Sequence, residues 1–243
     1  MALNINGNII SSTDITSVGV FKTEVNRDGL ICYLDAADKN SYPGSGTVWY
    51  DLTGNGNNFN LTNTTFSSET IVFNGSSSYA RSVNTINLTS YSTVLVEVYV
   101  KAANTNAGFI FEHTADWNSN TGGFGMLINH NGSVATPNTH HTNHNTEAAF
   151  NYVYTIGTNW NDHVNAYSKI AAIGRKTYMN AAYLSGTTTV AGSFANDYMY
   201  LGARGSTTLF FNGSLSSLKI YGSMLNSYEI AENFQATRGR FGL

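Results

Sequence analysis

The stretch STVLVEVYVKA, residues 92–102, shows the alternation that decides the fold class. Its valines at every second position share one face of a strand, while Leu95, Glu97 and Tyr99 share the other. This pattern is typical of a strand with one face in a core and one face toward solvent. We therefore predict a half-buried strand over residues 92–102.

Short apolar runs separated by clusters of Gly, Asn and Ser continue on both sides of this strand. LICYLDA (30–36) and FFNGSLSSLKIY (210–221) are two of them. Only the segment 225–240 is typical of a helix, because Asn226 followed three residues later by Glu229 forms a capping-box pattern. Many short strands, Gly-rich turns and one late helix predict an all-β, two-sheet antiparallel jelly-roll sandwich with one short C-terminal helix.

The stretch WYDLTGNGNNFNLTN, residues 49–63, predicts a strand, a tight loop and the start of another strand. Trp49 is expected in the core, and the Gly and Asn residues of the loop tolerate positive φ angles. A second turn is predicted at NGSSS, residues 74–78. The function of both stretches is chain reversal.

Composition and charge exclude several classes of function. The 243 residues suit one all-β domain, and the net charge of −3 leaves no basic surplus for nucleic acid or for an anionic membrane surface. No apolar run approaches the roughly 18 residues of a membrane span. The single cysteine, Cys32, lies in an apolar run and is expected to be buried.

The chain is predicted to have two parts. Residues 1–27 are polar with isolated apolar positions, and we expect an extended N-terminal arm that docks to a partner, as arms that add a strand by main-chain hydrogen bonds do. The jelly-roll domain is predicted over residues 28–243.

Five segments of the chain together form a specific pattern, at residues 28–61, 71–82, 92–102, 176–186 and 200–243. The first contains an early LDA strand and a W-x-D-L-x-G-N-G-N stretch, and the second contains F-N-G-x-x-x-Y. The last contains a closing F-x-G-x-L-x-x-L-x-I-Y before E-I. This combination resembles the laminin-G-like, concanavalin A-like lectin/glucanase superfamily. The variant with SYPGSGTVWYDLTGNGN and a terminal RGRFG is especially similar to domains in structural proteins of tailed bacteriophages. The resemblance implies a lectin-like sandwich in a head decoration, fibre, neck or tail.

An enzymatic function is not expected. The resemblance implies that glycosidases on this fold carry two or three carboxylates on one strand, in an E-x-D-x-(x)-E pattern. Glu97 is alone in its strand, and Glu112 and Asp116 are separated by three residues that run into a loop. One isolated carboxylate cannot supply both halves of acid–base chemistry.

No cofactor is predicted, with a Ca²⁺ site as the alternative. The resemblance implies a calcium pattern F-D-G-x-D-D-Y, but Asn74 stands in the place of its first Asp and serines stand where acids are common. Asp35, Asp38 and Asp51 remain as oxygen ligands, and Asp35 and Asp51 fit turn caps equally well.

Three histidines form the candidate metal site. His140, His141 and His144 have a spacing that would place two imidazoles on one helix face, but Pro137 and the surrounding Asn residues predict an exposed rim loop. The alternative is a metal shared across the axis of a symmetric oligomer.

Two tryptophans form the candidate carbohydrate site. Trp117 is followed by Asn118 and Trp160 by Asn161, each in a polar, loop-like stretch. A flat apolar ring with amides at its edge suits a sugar. The alternative is that each Trp covers an end of the core.

These observations predict a non-enzymatic virion structural protein of a tailed bacteriophage. It would dock to capsid, neck or tail proteins through residues 1–27, reside in the virion after synthesis in the host cytoplasm, and form a homo-oligomer, with a trimer favoured for a projection. The alternative is a carbohydrate-binding adhesin for host-surface glycans. A glycan-active enzyme is the third hypothesis.

Overall fold

The computed structural model describes residues 3–5, 8–10, 24–104, 106–113, 124–128, 137–141, 151–153, 168–173, 176–185 and 194–243. The strands in these ranges are β1 Leu3–Ile5, β2 Asn8–Ile10, β3 Leu30–Asp35, β4 Val48–Trp49, β5 Phe59–Thr62, β6 Thr65–Ser67, β7 Thr70–Asn74, β8 Tyr79–Ser82, β9 Ile86–Asn87, β10 Leu95–Ala102, β11 Gly108–His113, β12 Phe124–Ile128, β13 Pro137–His141, β14 Asn151–Val153, β15 Ser168–Ile173, β16 Lys176–Met179, β17 Ala182–Ser185, β18 Asn196–Asp197, β19 Met199–Leu201 and β20 Asn212–Tyr221. The helix α1 spans Ser227–Thr237, and a 3-10 turn follows at Arg238–Phe241.

The strands form two large antiparallel sheets. Sheet I has the order β17-β16-β15-β10-β20-β7-β6, and β3 also pairs with the central strand β20. Sheet II has the order β14-β13-β12-β11-β19-β8-β5-β4. Two short pairs, β1–β2 and β9–β18, complete the described pairing.

One apolar core joins the two sheets. It combines Val96, Val98 and Leu218 of sheet I with Phe111 and Leu201 of sheet II. Side chains alternate between the faces of a strand, so each sheet contributes every second residue to this core. The predicted all-β, two-sheet antiparallel sandwich with one C-terminal helix is confirmed.

The core also contains the two residues that the sequence placed there. Trp49 is 0% exposed, and Cys32 is 0% exposed as well. Burial is the main cause that raises the pKa of the Cys32 thiol, with the charge of Asp51 as the second cause. The thiol therefore stays protonated and behaves as a small apolar side chain.

The strand predicted within residues 92–102 is present as β10, but the prediction that it is only half-buried is wrong. The valines face the core as expected, but the other face of β10 is buried too, because α1 covers it. Leu95 packs there with Leu225 and Ile230 in a second apolar cluster. Alternation indicated which residues share a face but not that a segment more than 100 residues later would cover it.

The helix begins where its capping pattern predicts. The Asn226 side chain accepts hydrogen bonds from the N–H groups of Tyr228 and Glu229, at 2.9 and 3.0 Å. The Glu229 carboxylate accepts the Asn226 N–H at 2.8 Å in return. Ile230 and Phe234, four residues apart, are both buried, and Ile230 packs against Leu95 and Tyr221 of sheet I. The capping box and the apolar face of α1 are confirmed.

Two loops reverse the chain as predicted, and each is organised by one polar side chain. The Asn74 amide oxygen accepts the N–H groups of three successive residues, and this turn carries the chain from β7 in sheet I to β8 in sheet II. Asp51 has the same role after β4, where its carboxylate accepts N–H groups from Tyr33, Thr53 and Asn57. Such side-chain acceptors favour turns over regular strands.

The N-terminal segment contains two short strands, β1 and β2, which pair with each other in an antiparallel hairpin. Contacts with the sandwich are present from Asn26: its N–H donates to Asn233 Oδ1 at 2.7 Å, and its carbonyl accepts the Tyr221 hydroxyl at 2.9 Å. The boundary at residue 27 and the docking role of the arm stay predictions. Within the described ranges, no helix has the length and apolar character that a membrane crossing needs.

Candidate functional site

A polar row runs across the outer face of sheet II. Strand register places Asn60 opposite Arg81, Arg81 opposite Tyr200 and Tyr200 opposite Glu112. The neighbours of these residues along each strand point into the core, so the row faces away from it. Directly opposed residues lie about 4.5–5.5 Å apart at Cβ, so the four side chains are neighbours. Asn60 and Arg81 are exposed, and Tyr200 and Glu112 are buried.

Arg81 is the exposed cation of this row. Its guanidinium carbon lies 4.7 Å from the ring centroid of Tyr198, which is the distance of a cation–π contact. Burial raises the pKa of the Tyr200 hydroxyl, and the Arg81 guanidinium lowers it by a smaller amount. Tyr198, which directly precedes β19, and Tyr200 of β19 therefore flank the arginine.

The rest of this surface is amphipathic. Tyr79 lies on the same side of β8 as Arg81 and is half-buried, while Asn60 is exposed beside it on β5. We define the Arg81 face as Asn60, Tyr79, Arg81, Tyr198 and Tyr200. It presents the Arg81 guanidinium, the Asn60 amide and the half-buried rings of Tyr79 and Tyr198, while Tyr200 is buried with 7% of its surface exposed. A guanidinium, an amide and aromatic rings are groups that bind a polar ring with charged or hydroxyl substituents.

Glu112 ends the row and is buried, with 1% of its surface exposed. Its Oε2 accepts the Gly205 N–H at 2.6 Å. The other acid near the Arg81 face, Asp197, accepts the Tyr198 N–H at 2.7 Å. Both carboxylates are thus hydrogen-bonded to backbone N–H groups.

Glu97, the other carboxylate that the sequence singled out, lies on the opposite side of the molecule. It is buried beneath α1 on the outer face of sheet I, and its Oε2 accepts the Asn233 amide N–H at 3.1 Å. Burial is the main cause that raises the pKa of nearby Tyr99 and Tyr221, so both phenols are neutral. The cluster of Glu97, Tyr221 and Asn233 holds α1 against sheet I through hydrogen bonds.

The acids considered for calcium make hydrogen bonds within the protein. Asp35 accepts two guanidinium bonds from Arg240, at 2.7 and 2.9 Å, and the Ala37 N–H at 3.0 Å. Asp51 organises its loop as described above. Both side chains therefore fit the turn-cap and ion-pair roles. Among the described residues, no group of three His, Cys, Asp or Glu side chains is placed to hold a metal.

The predicted site residues fall largely outside the described chain. Trp117, Asn118, Trp160, Asn161 and His144 are not among the described residues, so their roles stay predictions.

The predicted rim loop is wrong at two of its histidines. His140 and His141 lie in strand β13, where they pair with Gly125 and Phe124 of β12. The polar, Asn-rich composition favoured a loop, and pairing with an apolar neighbouring strand overrides that local preference. Their metal role stays a prediction.

Sequence reasoning missed the Arg81 face. The local signal is YARS at 79–82, where Tyr and Arg alternate with two small residues. That alternation is enough to place Arg81 on an outer face. The tyrosines that flank it come from residues 198–200, more than 100 residues later, and no local pattern gives that register.

No protein-family model matches the chain, and no curated protein sequence matches it. Solved structures do. Domain 4 of AbnA, a GH43 extracellular arabinanase from Geobacillus stearothermophilus, in complex with arabinotriose, has a TM-score of 0.63 at 18% identity, over 85% of this chain and 98% of that one. The binding domain of Paraclostridial Mosquitocidal Protein 1 has a TM-score of 0.63 at 14% identity, over 85% and 52%.

The sialidase of Trypanosoma rangeli in complex with sialic acid is also similar, with a TM-score of 0.59 at 16% identity, over 89% of this chain and 34% of that one. The chain thus spans about a third of the sialidase and about half of the mosquitocidal structure. Identities this low establish the fold alone. The chain therefore has a β-sandwich fold of the concanavalin A-like, jelly-roll type.

Proposed function

We propose that this chain is a non-enzymatic virion structural protein of a tailed bacteriophage, which docks through residues 1–27 and displays its jelly roll. The sequence resemblance over residues 28–61 and 200–243 supports the virion context. The hairpin of β1 and β2 supports docking, because short paired strands present main-chain donors and acceptors to a partner strand.

One observation carries the non-enzymatic part of the proposal. Glu97 and Glu112 lie on the outer faces of different sheets. Packed sheets are about 10 Å apart, so two outward side chains on opposite faces are farther apart than the roughly 5–9.5 Å that glycoside hydrolysis requires. Each carboxylate is also buried and hydrogen-bonded within the fold. They cannot act as an acid and nucleophile pair.

The docking role is tested by removing the arm without disturbing the sandwich. The deletion should span residues 2–23, because Asn26 is bonded to Asn233 and Tyr221. We expect the truncated chain to keep the thermal unfolding midpoint of the full chain. Tagged full-length chain, supplied during phage growth, should be recovered in gradient-purified particles, and the truncated chain should not.

Two results would overturn this proposal. Absence of the full-length chain from purified particles would refute the virion role. Equal recovery of the truncated and full-length chains would refute docking through the arm.

A second candidate is a carbohydrate-binding adhesin, and the Arg81 face favours it. The similar domain 4 of AbnA was solved in complex with arabinotriose, so a sandwich of this shape accommodates a saccharide. Retention of the full chain on immobilised polysaccharides tests this candidate. Binding to at least one polysaccharide supports it, and no retention by any neutral or acidic polymer would refute it.

A further inference from the structure

The Arg81 face combines an exposed charge with fixed geometry. An arginine on a flexible surface loses side-chain freedom when it binds, and that loss weakens recognition. Here the guanidinium already rests on the Tyr198 ring at 4.7 Å, on a strand paired on both sides. Part of the side-chain entropy that Arg81 would lose on binding is therefore already lost in the free protein.

Arg81 is the exposed charged residue of this surface, whereas Glu112 is buried and Asp197 is half-buried. Glu112 and Asp197 are the acids that influence Tyr200, and each is bonded to a backbone N–H, at 2.6 and 2.7 Å. Within the described residues, no carboxylate lies at ion-pair distance from the Arg81 guanidinium. Its planar, forked set of donors matches a carboxylate or sulfate group.

The remaining groups of the face suit a sugar ring. Tyr79 and Tyr198 are half-buried, so each offers an apolar ring together with a polar hydroxyl. The exposed Asn60 adds an amide that can donate to and accept from hydroxyls. Val83, two residues beyond Arg81, is 39% exposed and extends the apolar surface.

We propose that the Arg81 face is a binding site for anionic saccharides, with the guanidinium of Arg81 engaging the acidic group and the rings of Tyr79 and Tyr198 contacting the sugar ring. This inference rests on the adhesin candidate above and specifies its ligand class and its contact residues. The chain has a net charge of −3, so a general attraction to polyanions does not explain such binding.

The test is affinity electrophoresis of the full chain in native gels that contain one polysaccharide each. Polygalacturonate supplies carboxylates, dextran sulfate supplies sulfates and dextran is the neutral polymer. We expect retardation by polygalacturonate or dextran sulfate and none by dextran, and the two acidic gels distinguish carboxylate from sulfate recognition. Raised salt should weaken the interaction.

Matched variants separate the site from general charge effects. Arg81→Ala should weaken the apparent affinity about ten- to a hundredfold, because hydrogen bonds to charged groups are the strong ones. Arg81→Lys should restore only part of it, since a lysine has no bidentate fork. Arg27→Ala is the control, because Arg27 is also exposed and near a tyrosine, Tyr33, at 5.9 Å.

The outcomes distinguish this inference from the adhesin candidate itself. Equal retardation of the native chain, Arg81→Ala and Arg27→Ala by an acidic polymer would overturn the Arg81 site but leave saccharide binding in place. Retardation by dextran as strong as by the acidic polymers would overturn the anionic class. No retardation by any polymer would overturn both.

Discussion

Replacement of Asn233 by alanine should destabilise the sandwich strongly. Asn233 is 0% exposed and joins four parts of the chain. Its amide donates to Glu97 Oε2 at 3.1 Å and to the Tyr221 hydroxyl at 3.0 Å, and its Oδ1 accepts the Asn26 N–H at 2.7 Å. The change therefore removes three buried hydrogen bonds and leaves their partners in a site without solvent.

The expected loss follows from those three bonds. The two bonds to neutral groups contribute about 1 kcal/mol each, and the bond to the Glu97 carboxylate contributes about 1.5–3 kcal/mol. The better helix propensity of alanine returns about 0.5 kcal/mol. The free energy of unfolding of Asn233→Ala should therefore be about 3–4.5 kcal/mol below that of the native chain.

Urea unfolding followed by circular dichroism measures this loss, with the midpoint falling and the slope unchanged. Gln235→Ala is the matched control, because it removes an amide from the same helix at a half-buried position and should change the free energy by about 0.5 kcal/mol or less. A loss below about 1 kcal/mol for Asn233→Ala would refute the view that this cluster fastens the helix.

Three further changes test local features. Asn226→Ala removes the cap of α1 and should cost about 1 kcal/mol in urea unfolding, and an unchanged midpoint would contradict the capping role. His113 is 0% exposed and its Nε2 lies 2.9 Å from the Ile86 carbonyl oxygen; burial, its main influence, lowers its pKa. The stabilisation by neutral His113 is present above about pH 6.5 and is lost as the pH falls through the lower folded-state pKa. The free energy lost is about 1.4 kcal/mol for each unit by which the folded state lowers the pKa. The thermal midpoint of the native chain should therefore fall more steeply between pH 7 and pH 5 than that of His113→Gln, and parallel curves would contradict this. Gly202→Ala places a Cβ 2.2 Å from the Phe73 ring at a φ of +77°, so this variant should lose more than about 2 kcal/mol in thermal unfolding, and a native-like midpoint would contradict the packing.

Local chemistry explains which parts of the fold could be predicted. The capping box at Asn226 and Glu229 needs only four residues of sequence and is present as predicted. The core positions of β10 follow from alternation alone. The Asn-centred turn at residues 74–78 follows from the hydrogen-bonding capacity of one side chain.

Long-range pairing explains what could not be predicted. Glu97 is expected at a solvent face from its strand alone, but α1 covers it, and Asn233 and Lys219 lie around it from distant parts of the chain. The Arg81 face depends on the register of β8 with β5 and β19. Neither arrangement leaves a local pattern, because each is set when separate segments pack together.

The most direct test of the central claim, that the sandwich does not catalyse, is to measure hydrolysis of saccharides. The full chain and Glu112→Gln would be incubated with polygalacturonate, dextran and arabinan, and the release of reducing ends would be followed over a day. A sandwich that binds without catalysis releases no reducing ends with either protein. Release by the native chain that Glu112→Gln abolishes would contradict that claim and identify Glu112 as a catalytic acid.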